Sequence, residues 1–189
     1  MESRDNYPER KKRVSVEIRR MEIDDLAKIF HMGEKLFTAR DIPNLYRTWD
    51  EYEVISLFQT DSELCLVAED GEEERIAGFA LGTTITKTRS AWKYGYLVWL
   101  GIDPGYHGQG VATKLFHRFR DAMVASGIRI LLVDSEADNL PALHFFRKMG
   151  FGSPQEHIYL SLNLDPQLRQ LRGKKANGRT LSKDKPHEA

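Results

Sequence analysis

Val14, Val16 and Ile18 alternate with Ser15, Glu17 and Arg19, a period of two that predicts a half-buried strand. Asp24 and Asp25 follow; their side-chain oxygens suit the exposed N–H groups and positive dipole end of a helix start. Leu26, Ile29, Phe30, Gly33, Leu36 and Phe37 then recur on one helical face. A loop over Phe37–Asp50, marked by Pro43 and Asn44, leads into a second helix around Trp49–Gln59 with Val54, Leu57 and Phe58 as its buried stripe. Strand patterns return at Glu63–Ala68 and Ile76–Thr86, and the acidic run between them, Glu69–Glu74, reads as an exposed, solvated hairpin tip. The next strand is roughly Trp92–Ile102, interrupted by Gly101, a residue that inside a strand marks a bulge or a close approach by a ligand.

Helical spacing resumes at Val111, Leu115, Phe119, Ala122 and Met123, with Lys114, Arg118 and Asp121 turned outward, until Ser126-Gly127 stops it. Ile130–Val133 predicts a short buried strand. Asp138 or Asn139 caps a further helix with Pro141 in its first turn, Ala142, Phe145, Phe146 and Met149 on its apolar face and Gly150 at its end. Ile158, Leu160, Leu162 and Leu164 alternate as a last strand. This order of elements predicts a mixed α/β sheet, antiparallel around the hairpin. From Trp92 to Val133 it predicts a parallel pair joined by a right-handed crossover.

Of 189 residues, 41% are hydrophobic and 30% charged, a globular balance, and no apolar run approaches a membrane span. The chain therefore reads as a polar, disordered segment over residues 1–13, one domain over 14–164, and a basic, disordered tail over 165–189. The single cysteine, Cys65, excludes an internal disulfide, and with no signal-peptide pattern at the start the expected location is cytoplasmic. Formal net charge is zero. The tail carries seven Lys/Arg against three Asp/Glu and the first thirteen residues five against three, which leaves the body six charges negative. An acidic body argues against nucleic acid as a partner of the folded domain and suits a cationic acceptor such as an amine. No His or Cys spacing forms a metal site, so no metal is expected.

Candidate chemistry concentrates at Leu100–Phe116, where an apolar strand breaks at Asp103-Pro104-Gly105 and Gly108-Gln109-Gly110 precedes a helix. Strand, glycine-rich turn and helix N-terminus make a cradle for an anion: backbone N–H groups converge, and glycine lets a phosphate approach them. Gly105 and Gly110 have Walker spacing, but Val111 and Ala112 stand where Lys and Ser or Thr are needed. A dinucleotide fingerprint would need a glycine at Thr113, with Asp134 as the ribose ligand. The third candidate is an acyl-CoA loop, written Gln/Arg-x-x-Gly-x-Gly/Ala, here His107-Gly108-Gln109-Gly110-Val111-Ala112. A second stretch, Asn139-Leu140-Pro141-Ala142 through Phe145-Phe146-Arg147-Lys148-Met149-Gly150-Phe151, fits the partner motif of that loop.

With both motifs in order, the chain resembles the GNAT superfamily of N-acetyltransferases, departing from it at His107 and at Phe146, where the family carries tyrosine. The resemblance implies the GNAT fold, an α/β arrangement with a mixed, mostly antiparallel sheet of six or seven strands and about four helices. It also implies acetyl-CoA as co-substrate. Its pantetheine arm would lie along Leu100, Gly101 and Ile102, its diphosphate on His107, Gly108, Gln109, Gly110, Val111, Ala112 and Thr113, and Asn139 would hold the arm. The Leu100 N–H would stabilise the thioester oxygen.

An aliphatic amine of pKa about 10 arrives protonated, so a base is needed. Family members place a carboxylate on the fourth strand, where this chain has Tyr96; some carry one on the fifth, where it has Asp134. Asp134 is therefore the expected base. With Phe146 unable to donate a proton, Tyr159, Tyr106 or His144 stands in as acid, or the thiolate leaves unaided. The expected partner is a small-molecule or protein amine, with a homodimer as the expected assembly and no membrane. The competing readings are a non-catalytic acyl-CoA-binding regulatory module and, more distantly, a dinucleotide-dependent oxidoreductase.

Overall fold

The structure, a computed structural model, describes residues 15–37, 49–86, 92–156, 158 and 162. Strand β1 spans Val16–Arg20, helix α1 Leu26–Leu36, helix α2 Glu51–Thr60, and strands β2 and β3 Cys65–Asp70 and Arg75–Thr86. Strand β4 spans Lys93–Ile102, helix α3 Val111–Ala125, strand β5 Ile130–Leu132 and helix α4 Leu140–Lys148. The five strands lie side by side in chain order, antiparallel from β1 to β4 and parallel between β4 and β5. The described residues thus hold five strands and four α-helices. That is fewer than the six or seven strands expected; of the expected last strand, Ile158–Leu164, only Ile158 and Leu162 are described, both exposed and neither in a strand. Most of the Phe37–Asp50 loop, residues 1–13 and the tail lie outside the described residues.

Each helix starts and stops where its local chemistry dictates. The Asp50 carboxylate accepts from the Glu53 N–H at 2.9 Å, supplying one orphan donor of α2 with a partner. The Asn139 side chain does the same for Ala142 of α4 at 3.2 Å, with Pro141 in the first turn. Asp25 departs from the expected role: its carboxylate makes no cap bond to α1 but accepts from the Glu22 N–H behind it and takes a two-pronged bond from Arg19 of β1. Burial pushes its carboxyl up, but Arg19 and the backbone bond outweigh that and hold it below the ordinary range.

Helices α1 and α2 cover one face of the sheet, packing Ile29, Val54 and Leu57 against Val67, Phe79, Leu81 and Trp99. Helices α3 and α4 cover the other, with Leu115, Phe119 and Met123 against Leu66, Ala80 and Leu97. Strand β5 departs from the expectation of a buried strand. Leu131 packs into the α3 core, but Ile130 and Leu132, pointing to the opposite face, are exposed.

Gly101 is not the bulge. It pairs regularly with Phe79, and a Cβ there would come within 2.8 Å of the Phe79 ring and 2.9 Å of Leu36, so close packing requires glycine. The bulge lies at Val98, where the register passes from Leu81 opposite Trp99 to Gly82 opposite Leu97. As a result Val98 and Trp99 both face α1 and α2, while Leu97, Leu100 and Ile102 face α3. The continuous apolar run Leu97–Leu100 hides that change of parity.

Candidate active site

Two adjacent strands, β4 and β5, part at one edge of the described sheet. β5 pairs with β4 only along Tyr94–Tyr96, opposite Ile130–Leu132, whereas β3 follows β4 to its end at Ile102. Asp103 donates its N–H to Ala77 of β3 at 3.0 Å. Strand alternation then turns the N–H groups of Ile102 and Leu100 toward the edge that β5 has left. An extended ligand arm with amide groups can be held there as a strand would be.

Beyond the fork, Pro104–Tyr106 form a 3-10 turn, fixed by the Asp103 carboxylate accepting from the Gly105 N–H at 2.8 Å. Gly108 and Gly110 follow with φ of +77° and +81°, left-handed values that favour glycine. A Cβ on either would meet nothing within 4 Å, so the space above the loop is open. Gly110 is the N-cap of the fifteen-residue α3, whose first N–H groups and dipole face that opening. This cradle fits a diphosphate.

Two side chains of the expected diphosphate set turn to other work. The His107 ring lies with Nε2 3.1 Å from the carbonyl oxygen of Ile102, and Gln109 donates to the carbonyl of Gly105 at 3.0 Å. Both brace the loop, so the donors the cradle offers an anion are the backbone N–H groups of the stretch through Val111, Ala112 and Thr113. Asn139 has its carbonyl oxygen committed to the α4 cap.

At the fork itself the Tyr96 hydroxyl donates to Oδ1 of Asp134 at 2.5 Å. Tyr96 belongs to the last paired rung, and Asp134 lies two residues past its partner Leu132. The sequence singles out Asp134 as the expected base and marks Tyr96 only as the residue standing where family members place a carboxylate. The signal was present in hindsight: the missing fourth-strand carboxylate and the tyrosine occupy the same position.

The proton-donor candidates sort clearly. Phe146 packs against Phe145 and Phe151 in the α3–α4 core. The Tyr106 hydroxyl is buried and donates to Asp70 at 2.7 Å, so it does not face the fork, while His144 lies exposed on α4. Tyr159 lies outside the described residues. Cys65 is buried, and burial pushes its thiol up to about 12, which removes it as a nucleophile. Among the described residues no group of His, Cys, Asp and Glu could hold a metal ion.

A sequence model of the acetyltransferase (GNAT) family matches residues 30–151, from α1 through the end of α4. The chain belongs to the GNAT acetyltransferase family. A Schizosaccharomyces pombe protein named N-alpha-acetyltransferase 30 is 39% identical over 57 residues, covering 30% of this chain and 38% of that relative. The NatC complex bound to Gag peptide and CoA contains a chain of similar fold, with TM-score 0.62 and 22% identity over 74% of this GNAT chain and 86% of that one. An aminoglycoside acetyltransferase from a soil metagenomic sample, in complex with sisomicin, is likewise similar, with TM-score 0.60 and 20% identity over 78% of this chain and 97% of that one.

Proposed function

We propose that this GNAT chain transfers the acetyl group of acetyl-CoA to an amine by direct attack within a ternary complex. The observation that carries the reading is the open fork between β4 and β5, with a glycine cradle at one end and the Tyr96–Asp134 pair at its vertex. Acetyl-CoA supplies the activated acyl group. N–H groups of residues 108–113 hold the diphosphate, and those of Leu100 and Ile102 align the arm. The Leu100 N–H stabilises the negative charge that develops on the thioester oxygen as the amine nitrogen attacks. Asp134, oriented by Tyr96, takes the proton the amine must lose. The thiolate, whose conjugate acid has a pKa of about 8.5, leaves without a dedicated acid.

The acceptor this reading favours is the α-amine of a peptide, supported by the N-alpha-acetyltransferase relative and the peptide-bound NatC neighbour. The test is thiol release from acetyl-CoA with three acceptor sets: short peptides with free N-termini, N-blocked lysine peptides, and aminoglycosides or polyamines. Turnover with the first set alone supports the assignment, and turnover with another set reassigns the acceptor. Thermal stabilisation by CoA with no turnover on any set would establish a binding module in place of an enzyme.

A further inference from the structure

Beneath the cradle lies a buried carboxylate that the reaction does not use. Asp70, at the end of β2, is 2% exposed, inside the acidic run that reads from sequence as a solvated hairpin tip. Its Oδ1 accepts from the Glu72 N–H at 3.0 Å and its Oδ2 from the Tyr106 hydroxyl at 2.7 Å. Tyr106 is 3% exposed, and its oxygen accepts in turn from Nε of Arg75 at 3.0 Å. The Arg75 guanidinium also lies 5.2 Å from the centre of the tyrosine ring and pairs with Glu73. A tyrosine hydroxyl thus links an anion and a cation of the β2–β3 hairpin to the turn that feeds the phosphate loop.

Position gives this linkage its consequence. The loop after Tyr106 has nothing packed near the Cβ sites of Gly108 and Gly110, so packing does not fix it there. Besides the braces of His107 and Gln109, both of which reach back to Ile102 and Gly105, its place is set from its ends: α3 on one side and, on the other, the turn whose last residue is Tyr106. We infer that Tyr106, held by Asp70, is a positioning residue for the coenzyme's diphosphate. It keeps the backbone N–H groups of the loop convergent and leaves the thioester end of the site untouched. The inference rests on the reading that this loop receives the diphosphate.

Two thioester donors separate the ends of the site: acetyl-CoA and S-acetyl-pantetheine, which lacks the diphosphate and nucleoside. In Tyr106→Phe the KM for acetyl-CoA is expected to rise about tenfold, the scale of one lost hydrogen bond to a charged group, with kcat within about twofold. The KM for S-acetyl-pantetheine should not change. Asp70→Asn keeps an acceptor for the hydroxyl and should show the same selective effect at smaller size; it carries the test should Tyr106→Phe fail to fold by circular dichroism. An equal rise for both donors, or none for acetyl-CoA, would overturn the positioning role. Equal KM values for the two donors in the unmodified protein would instead overturn the diphosphate reading itself, and this inference with it.

Discussion

Two tyrosine–aspartate hydrogen bonds flank β4, and their surroundings give them different work. At the fork, Tyr96 donates to the exposed Asp134, two residues past the last rung that joins β5 to β4. Past the other end, Tyr106 donates to Asp70, buried at the close of β2. Asp70 is held below the usual carboxylate range, chiefly by the Tyr106 hydroxyl, and burial raises the Tyr106 hydroxyl in return. A buried carboxylate with both oxygens engaged is a tether. The exposed one, at a gap between strands, is where on the proposed mechanism an incoming amine would reach its base. The same pair of residue types becomes chemistry or scaffold according to what covers it.

The largest effect expected from breaking this contrast is at the exposed pair. Asp134→Asn should lower kcat by about 10²- to 10⁴-fold, the range of general base catalysis, while leaving CoA affinity in place. An unaltered rate and pH profile would remove Asp134 as the base. Tyr96→Phe should cost less, and the double variant no more than Asp134→Asn alone, because groups acting as a unit are not additive.

Next comes the glycine cradle that follows Tyr106. Gly110→Val places a β-branched residue at φ +81° and a side chain in the open approach to the loop. CoA affinity by calorimetry should fall about 10- to 100-fold, at a cost of roughly 1–3 kcal/mol for the strained backbone. Undiminished affinity would mean that the diphosphate lies elsewhere.

The buried pair should answer to pH rather than to rate. A carboxylate whose folded pKa is lowered adds stability that is present above its unfolded value of about 3.9 and is lost as pH falls through the folded one. Thermal melts of the unmodified protein and of Tyr106→Phe should therefore differ by a few degrees near neutrality and converge in acid. A gap constant with pH would show that the hydroxyl does not act through Asp70. Smallest of all is the response of Cys65, whose thiol, pushed up to about 12 by burial, should resist a disulfide reagent at pH 8 until the protein is unfolded.

Much of this arrangement was legible in the sequence because it is written in local signals. The helix stripes, the cap at Asn139 and the Gly108–Gly110 turn each depend on neighbours a few residues away. What stayed hidden depends on partners far along the chain. Asp70 sits in a run of acidic residues and looks solvated; only Tyr106, thirty-six residues on, shows why it is buried. Tyr96 gains meaning from Asp134, thirty-eight residues away, and no periodicity reports that pairing. The bulge at Val98 was invisible for another reason: a strand apolar on both faces has no alternation for an extra residue to break.

That extra residue has a consequence for anyone rebuilding the strand. Deleting Val98 would heal the ladder and turn nothing that follows: Trp99 would come directly after Leu97, still opposite Leu81, and alternation would run unbroken to Ile102. What the deletion removes is one apolar side chain from the core against α1 and α2, so its cost is a cavity there and not a change of register. A chimera spliced across β4 can therefore lose that one residue at the bulge, and at no other point of the strand, without changing which face its neighbours serve.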